Sequence, residues 1–240
     1  MEEISKRLQI AAALAAGGFI PGGRRFVADI GTDHAKLPVY MIQNRMADRA
    51  LALDVRTGPL ERAESRVREA GLTDKIECRL SDGFSAVARG EADVYVICGM
   101  GGKLIEKILT AGKEKLTPAD RIVAGPQQDV PDFRAFVMTN GWQIAAERML
   151  GENGKFYNLF LIELSRAEDL RPFSAVELRY GRELLESRDP VLYRALLREK
   201  RLDEKISGEL AGHGGAGAAR RTAQLAQNRK ALEQALAYYR

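Results

Sequence analysis

The sequence predicts an α/β protein in two parts: a mostly parallel sheet finished by a terminal antiparallel hairpin over residues 1–168, and an all-helical tail over residues 169–240. Three observations predict this. Short apolar runs alternate with helical segments from Phe26 to Thr139, the pattern of a parallel sheet covered on both faces. Two strand-like runs then flank Gly151-Glu152-Asn153-Gly154-Lys155, which reads as a hairpin and not as a crossover. From Pro172 onward no strand signal remains.

The elements follow in order. Ser5 is placed to cap a first helix running to about Ala16, and Gly17 to Gly23 break it. Phe26–Ile30 reads as a strand ending in a glycine turn, followed by a helix near Leu37–Asn44. Ala50–Leu53 is a second strand ending at Asp54. A helix from Thr57 or Gly58 to Ala70 places Leu60, Ala63, Val67 and Ala70 at three-to-four spacing. Ile76–Leu80, Val94–Cys98 and Ile122–Ala124 are further strands, the second uniformly apolar, as a doubly covered strand should be. Leu104, Ile105, Ile108 and Leu109 form one helical face, and Pro131–Thr139 another helix. Trp142–Leu150 and Phe156–Leu164 make the hairpin. In the tail, helices are expected over Val176–Ser187, Val191–Leu210 and Ala219–Tyr239. Leu192, Leu196, Leu202, Ile206 and Leu210 form one stripe; Leu225, Leu232, Leu236 and Tyr239 form the other. Gly212 to Gly217 is the expected tip of an antiparallel, coiled-coil-like helical hairpin.

Composition narrows the class. At 45% hydrophobic and 29% charged, the chain reads as an ordinary soluble globular protein. Cys78 and Cys98 lie in separate apolar segments without ligand spacing, so both read as reduced core residues. With only His34 and His213 besides, no metal site is expected. Lys6 and Arg7 before Ile10–Ala16 loosely resemble a signal peptide. Glu2, Glu3 and the strand that follows argue instead for a cytoplasmic protein, and no apolar segment is long enough to span a membrane. A monomer or weak dimer is expected. The net charge of +4 is unevenly placed: residues 171–240 carry 14 Lys and Arg against 9 Asp and Glu. A basic tail on a near-neutral domain fits a polyanionic partner, or a solvated helical face.

Five strand ends carry the chemistry. Asp29-Ile30-Gly31-Thr32-Asp33-His34-Ala35 follows the first strand, where open α/β sheets bind ligands. It lacks the second and third glycines of a dinucleotide fingerprint, and two aspartates suit a pyrophosphate poorly. They suit a cationic ligand such as S-adenosylmethionine, with its amino group and sulfonium. Asp54, 23 residues after Gly31, is placed to accept from ribose hydroxyls or to cap the next helix. Asp82-Gly83 reads as an adenine-amine acceptor or a plain turn. Gly99-Met100-Gly101-Gly102 presents bare backbone beside a ligand and leaves room for a flat base. Gly125-Pro126-Gln127 can line the same cleft. His34 is a hydrogen-bond donor or a packed loop residue, not a general base; Cys98 has nothing nearby to activate it.

Asp29-Ile-Gly-Thr-Asp33-His-Ala-Lys-Leu-Pro38, Gly58-Pro59-Leu60, Asp82-Gly83, Gly99-Met100-Gly101-Gly102 and Gly154-Lys155-Phe-Tyr157 together closely resemble the bacterial TrmK family, the tRNA (adenine-22-N1)-methyltransferases. The resemblance spans about residues 5–165, and the helical tail resembles the family's appendage. It implies a Rossmann-like class I S-adenosylmethionine methyltransferase sheet with a tRNA-holding tail. It implies cofactor contacts at Asp29, Gly31, His34, Asp54, Asp82, Gly83, Gly99, Met100 and Gly101, and an acidic catalytic role for Asp33. Substrate contacts are expected at Gly102, Pro126, Gln127, Arg134 and Tyr157. Two departures stand out. Lys36 occupies a usually aromatic position, and Gly125-Pro126-Gln127 stands where the family has Gln-Pro-Asn. Two other readings compete: a methyltransferase of a small molecule or protein, and a non-catalytic RNA-binding protein of this fold. A nicotinamide dehydrogenase is disfavoured by the missing glycine fingerprint and the terminal hairpin.

Overall fold

The computed structural model describes residues 4–164, 171–210 and 216–240, with side chains omitted at 209, 210, 216–225 and 227. It divides into two compact units, residues 1–170 and 171–240.

In the first unit, α1 (Lys6–Gly17) is capped by the Ser5 side chain, which accepts from the Leu8 N–H at 3.3 Å. The chain then runs through β1 (Phe26–Ile30), α2 (Lys36–Gln43), β2 (Arg49–Asp54), α3 (Thr57–Glu69), β3 (Ile76–Leu80), β4 (Val94–Cys98) and α4 (Gly102–Ala111). It continues with β5 (Arg121–Gly125), α5 (Val130–Thr139), β6 (Gln143–Glu152) and β7 (Lys155–Glu163). The seven strands are ordered β3-β2-β1-β4-β5-β7-β6. All pairings are parallel except β5–β7 and β6–β7, so the hairpin closes the sheet as expected. Its loop is only Asn153-Gly154. Both residues have positive φ, 50° and 72°, the twist that a two-residue hairpin turn requires.

The sheet is covered on both faces, which buries the central strands β1 and β4 except at Cys98, at the end of β4. One core contains Ala11 and Ala15 of α1, Leu37 and Met41 of α2, and Ala63 and Val67 of α3, against Val27, Val94 and Val96. The opposite core contains Ile105 and Leu109 of α4 and Phe133 and Val137 of α5, against Ala28, Ile30, Leu53 and Phe160. The apolar run Ile10–Ala16 is thus part of the folded core, with Ala11, Ala12, Leu14 and Ala15 buried. The edge strand β3 is only partly buried. Its Arg79 is tied to Glu77 at 2.8 Å and Glu91 at 3.0 Å, charged decoration that discourages further strand pairing.

The second unit contains α6 (Ala175–Tyr180), α7 (Arg182–Glu186), α8 (Pro190–Leu210) and α9 (Ala216–Ala237). The single helix expected over Val176–Ser187 is two, because Gly181 has φ 91°. Ser174 and Glu177 form a reciprocal capping box at the start of α6. Burial opposes charge on Glu177, but Arg182 and the Ser174 N–H outweigh it and hold the carboxyl down at about 2. Helices α8 and α9 run antiparallel: Tyr193 stacks on Tyr239 with centroids 4.8 Å apart, and Arg229 reaches Asp203 at 2.8 Å. Leu192, Leu196, Leu232 and Ala235 are buried. Leu202 is not; it falls off the expected stripe, and Asp203 takes the inner position. The expected tip at 212–215, with His213, and the side chains of Leu210 and Leu225 lie outside the described residues.

Candidate functional site

The carboxyl ends of β1 to β4 surround a cleft of about 830 Å³. It opens where the strand order reverses between β1 and β4, the usual ligand position in such sheets.

Its floor is the turn after β1. The N–H groups of Gly31 and Thr32 donate to the Leu53 carbonyl at 2.7 and 2.9 Å, stitching the turn to β2. Gly31 has φ 78°, a conformation that strains any residue with a Cβ, and a Cβ there would also displace the Met100 methyl, 2.1 Å away. Asp33, His34 and Ala35 follow with φ of 31°, 69° and 51°. Three consecutive left-handed residues without glycine cost on the order of 1–3 kcal/mol each, strain of the kind that collects at functional turns.

Asp29 is buried, and its Oδ2 accepts from the Thr32 hydroxyl at 2.8 Å. Burial pushes its carboxyl up to about 7, with the charges of Asp54 and Asp33 adding to the rise against the Thr32 bond. A cationic ligand group here would relieve that burden, whereas a pyrophosphate would be repelled. Asp54 is also buried at its strand end and accepts the Arg56 N–H at 2.9 Å. The next loop is laced by Ser81, whose hydroxyl donates to the Gly83 carbonyl at 2.8 Å and accepts from the Ala86 N–H. That network leaves Asp82 exposed at the cleft.

The loops after β4 and β5 are joined to each other. The Gln127 N–H donates to the Met100 carbonyl at 2.9 Å, and the Gly102 N–H to the Gln128 carbonyl at 3.1 Å. Burial pushes the Cys98 thiol up to about 12, with Asp29 adding to it, so the thiol is inert as a nucleophile.

Of the residues expected to bind cofactor, Asp29, Gly31, Asp54, Asp82, Gly83, Gly99 and Met100 line the cleft; Asp33 and Gln127 line it too. His34, Gly101, Gly102, Pro126, Arg134 and Tyr157 do not. His34 turns toward α3, where its Nε2 accepts from Arg62 Nε–H at 3.0 Å. The Asp33 carboxylate approaches the same nitrogen at 3.4 Å. Gly102 is glycine for packing: a Cβ would meet the Gln128 carbonyl at 2.7 Å. Arg134 is a correction. Only 1% exposed, it is bound to Glu147 at 2.5 and 3.2 Å and lies over the Phe160 ring, so it has no access to a substrate.

The sequence reading missed other parts of the wall. Leu104, read on one helical face with Ile105, Ile108 and Leu109, is 48% exposed and lines the cleft with Ile108; Val55, 59% exposed, follows Asp54. These apolar groups beside Asp82 and Gly83 suit a flat base. An apolar residue directly after an acidic strand end was the available signal for Val55. Ser5, Arg7 and Leu8 of the first helical turn also line the cleft.

Comparison with known proteins agrees with this geometry. The TrmK family model, described as tRNA (adenine(22)-N(1))-methyltransferase, matches residues 27–238. The tRNA (adenine(22)-N(1))-methyltransferase of Bacillus subtilis is 38% identical over 67% of this chain. The match spans 65% of that relative's length. The crystal structure of the B. subtilis m1A22 tRNA methyltransferase TrmK superposes with a TM-score of 0.82 at 30% identity, covering 98% of this chain and 99% of that one. A Streptococcus pneumoniae structure in complex with S-adenosyl-L-methionine gives 0.82 at 30% identity, covering 98% and 100%. The sheet is a Rossmann-like methyltransferase sheet, and the chain belongs to the TrmK family.

Proposed function

We propose that this protein transfers a methyl group from S-adenosylmethionine to N1 of an adenine in tRNA, at position 22 on the family pattern. The observation that carries the reading is Asp29, a buried carboxylate beside Gly31 at the sheet's switch point, in a chain that the family model matches over 27–238. S-adenosylmethionine supplies an electrophilic methyl group when bound. Asp29 holds its amino group, Asp54 the ribose hydroxyls, and Asp82 with Val55, Leu104 and Ile108 the adenine. The backbone of Gly31, Gly99 and Met100 permits close approach. Gln127 and Asp33 face the acceptor base. N1 lies on the Watson–Crick edge, so that base must be unpaired or flipped out. The nucleophile is the ring's own lone pair, which leaves the protein chiefly positioning and electrostatic work.

The tail supports a nucleic-acid substrate. Arg194, Arg201, Lys205 and Lys230 are exposed on α8 and α9, where they can meet phosphates and make affinity salt-dependent. Among the described residues no helix is long and apolar enough to cross a membrane and no metal-holding cluster occurs. A cytoplasmic monomer or weak dimer is our reading. Incubation with labelled S-adenosylmethionine and unmodified tRNA, followed by nucleoside mass spectrometry, should yield 1-methyladenosine. Another methylated nucleoside, or none, overturns the proposal.

Asp29 also sets a pH dependence. With its carboxyl near 7, the ionised fraction falls about tenfold between pH 8 and pH 6, and cofactor affinity should fall with it. The sign for stability is opposite. The folded state binds this proton more tightly than the unfolded chain, so the ligand-free protein loses stability as pH rises from about 4 to about 7. Asp29→Asn should therefore bind cofactor weakly with a flat pH profile, yet melt higher than the parent at pH 8. Calorimetry and thermal melts across pH 6–8 check both; a lower melting temperature at pH 8 contradicts the assignment.

A further inference from the structure

We propose that Tyr193 is a stacking platform for an unpaired base of the RNA substrate, set among arginines that meet the flanking phosphates; this rests on the tRNA reading above. Tyr193 lies in the first turn of α8. Its ring stacks on that of Tyr239, just beyond α9, with centroids 4.8 Å apart and planes 25° from parallel. The Tyr239 hydroxyl donates to the Asp189 carbonyl at 2.9 Å, which pins the inner ring of the pair. Tyr193 is 39% exposed. Tyr239 covers one face of its ring, so the other is open to a ligand. A tyrosine has few torsions to fix, and the stack already holds these, so a base that lands on it requires little further ordering.

The charge around the pair selects the ligand. Arg188 precedes Asp189, Arg194 follows Tyr193 and Arg240 follows Tyr239; all three are exposed, and none has an ion-pair partner among the described residues. Asp189 lies among them in the chain, but its Oδ1 accepts the Val191 and Leu192 N–H groups at 2.8 Å each, so its carboxylate is turned to the start of α8. Other arginines of this unit are taken up by acids: Arg171 and Arg182 by Glu177, Arg179 by Glu199, Arg229 by Asp203. An open ring beside free guanidinium groups is what an unpaired nucleotide needs, a surface for its base and cations for its phosphates. A paired stem offers phosphates and no free base face. Tyrosine and arginine also anchor protein interfaces. Cations with no free acid between them fit a polyanion better.

Fluorescence anisotropy of labelled, unmodified tRNA with the full chain, over a series of salt concentrations, tests the platform. Tyr193→Leu keeps an apolar side chain against Tyr239 and removes the ring. It should weaken tRNA binding about 5- to 100-fold at every salt concentration, because stacking releases no counterions. Its affinity for a fully paired RNA duplex should be unchanged. Tyr193→Phe keeps the ring and should bind tRNA within about twofold of the parent. Arg194→Gln should instead flatten the salt dependence by roughly one phosphate contact. Parent-like tRNA binding by Tyr193→Leu overturns the proposal, and if its oligomeric state changes at the same time, the ring belongs to a contact between copies. Equal losses for tRNA and duplex also overturn it, since they mark general damage to the hairpin. So does Tyr193→Phe as weak as Tyr193→Leu, which marks the hydroxyl and not the ring. If the parent protein binds no tRNA, the substrate reading itself fails, and the platform with it.

Discussion

Asp33→Ala should lower the rate of methyl transfer to tRNA about 10²- to 10³-fold, the range seen when a charge-stabilising group is removed from a transition state. Asp33 lines the cleft with a side chain 68% exposed, on a backbone held at φ 31°. Methylation at N1 leaves the adenine cationic. A carboxylate beside it can stabilise that charge or accept a proton from N6. The effect on cofactor should run the other way. The charge of Asp33 helps push the Asp29 carboxyl up, so removing it makes Asp29 easier to ionise. Cofactor affinity should hold or rise slightly. A fall in rate joined to unchanged or tighter cofactor binding distinguishes this role from general damage to the loop. Asp33→Asn separates the two chemical roles. If charge matters, it should be nearly as slow as the alanine variant. Single-turnover rates and calorimetry check these outcomes, and transfer within tenfold of the parent in Asp33→Ala excludes the role.

Arg134→Ala should destabilise the protein by about 3–5 kcal/mol, the usual cost of stranding one member of a buried ion pair. Glu147 is buried with Arg134 and also accepts from Asn158 at 2.7 Å. Removing the guanidinium leaves that carboxylate desolvated with too few donors. Glu147→Ala should cost a similar amount, since it strands the arginine. Replacing both, Arg134→Met with Glu147→Leu, should recover most of the loss because an apolar pair of similar volume needs no compensating charge. The cluster ties α5 to β6 and β7, so its work is structural. Chemical denaturation of the single and double variants measures this. A single-variant loss under about 1 kcal/mol contradicts the buried pair and reopens Arg134 as a surface group.

The strands were legible because burial on both faces imposes unbroken apolar runs, as in Val94–Cys98, and because Asn153-Gly154 has few uses other than a tight hairpin turn. The cleft's acidic corner was legible for a related reason. Residues at successive strand ends of a parallel sheet are brought together by the topology itself, so Asp29, Asp54 and Asp82 converge whatever the helices do. The turn at Gly31 demanded glycine, and that demand shows in the sequence.

What tertiary structure alone decided was side-chain direction and long-range pairing. Arg134 was expected to contact the substrate, but Glu147, 13 residues further on and on strand β6, holds it inside. His34 sits in the cofactor loop, yet Arg62 of α3 turns it outward. Leu104 keeps helical spacing with the buried Ile105 and Leu109, yet it is 48% exposed and lines the cleft. Arg7 reaches the cleft only because α1 packs beside β4 and β7, far along the chain. Local sequence encodes period and turn geometry; it carries no direct record of which distant group a charge will find.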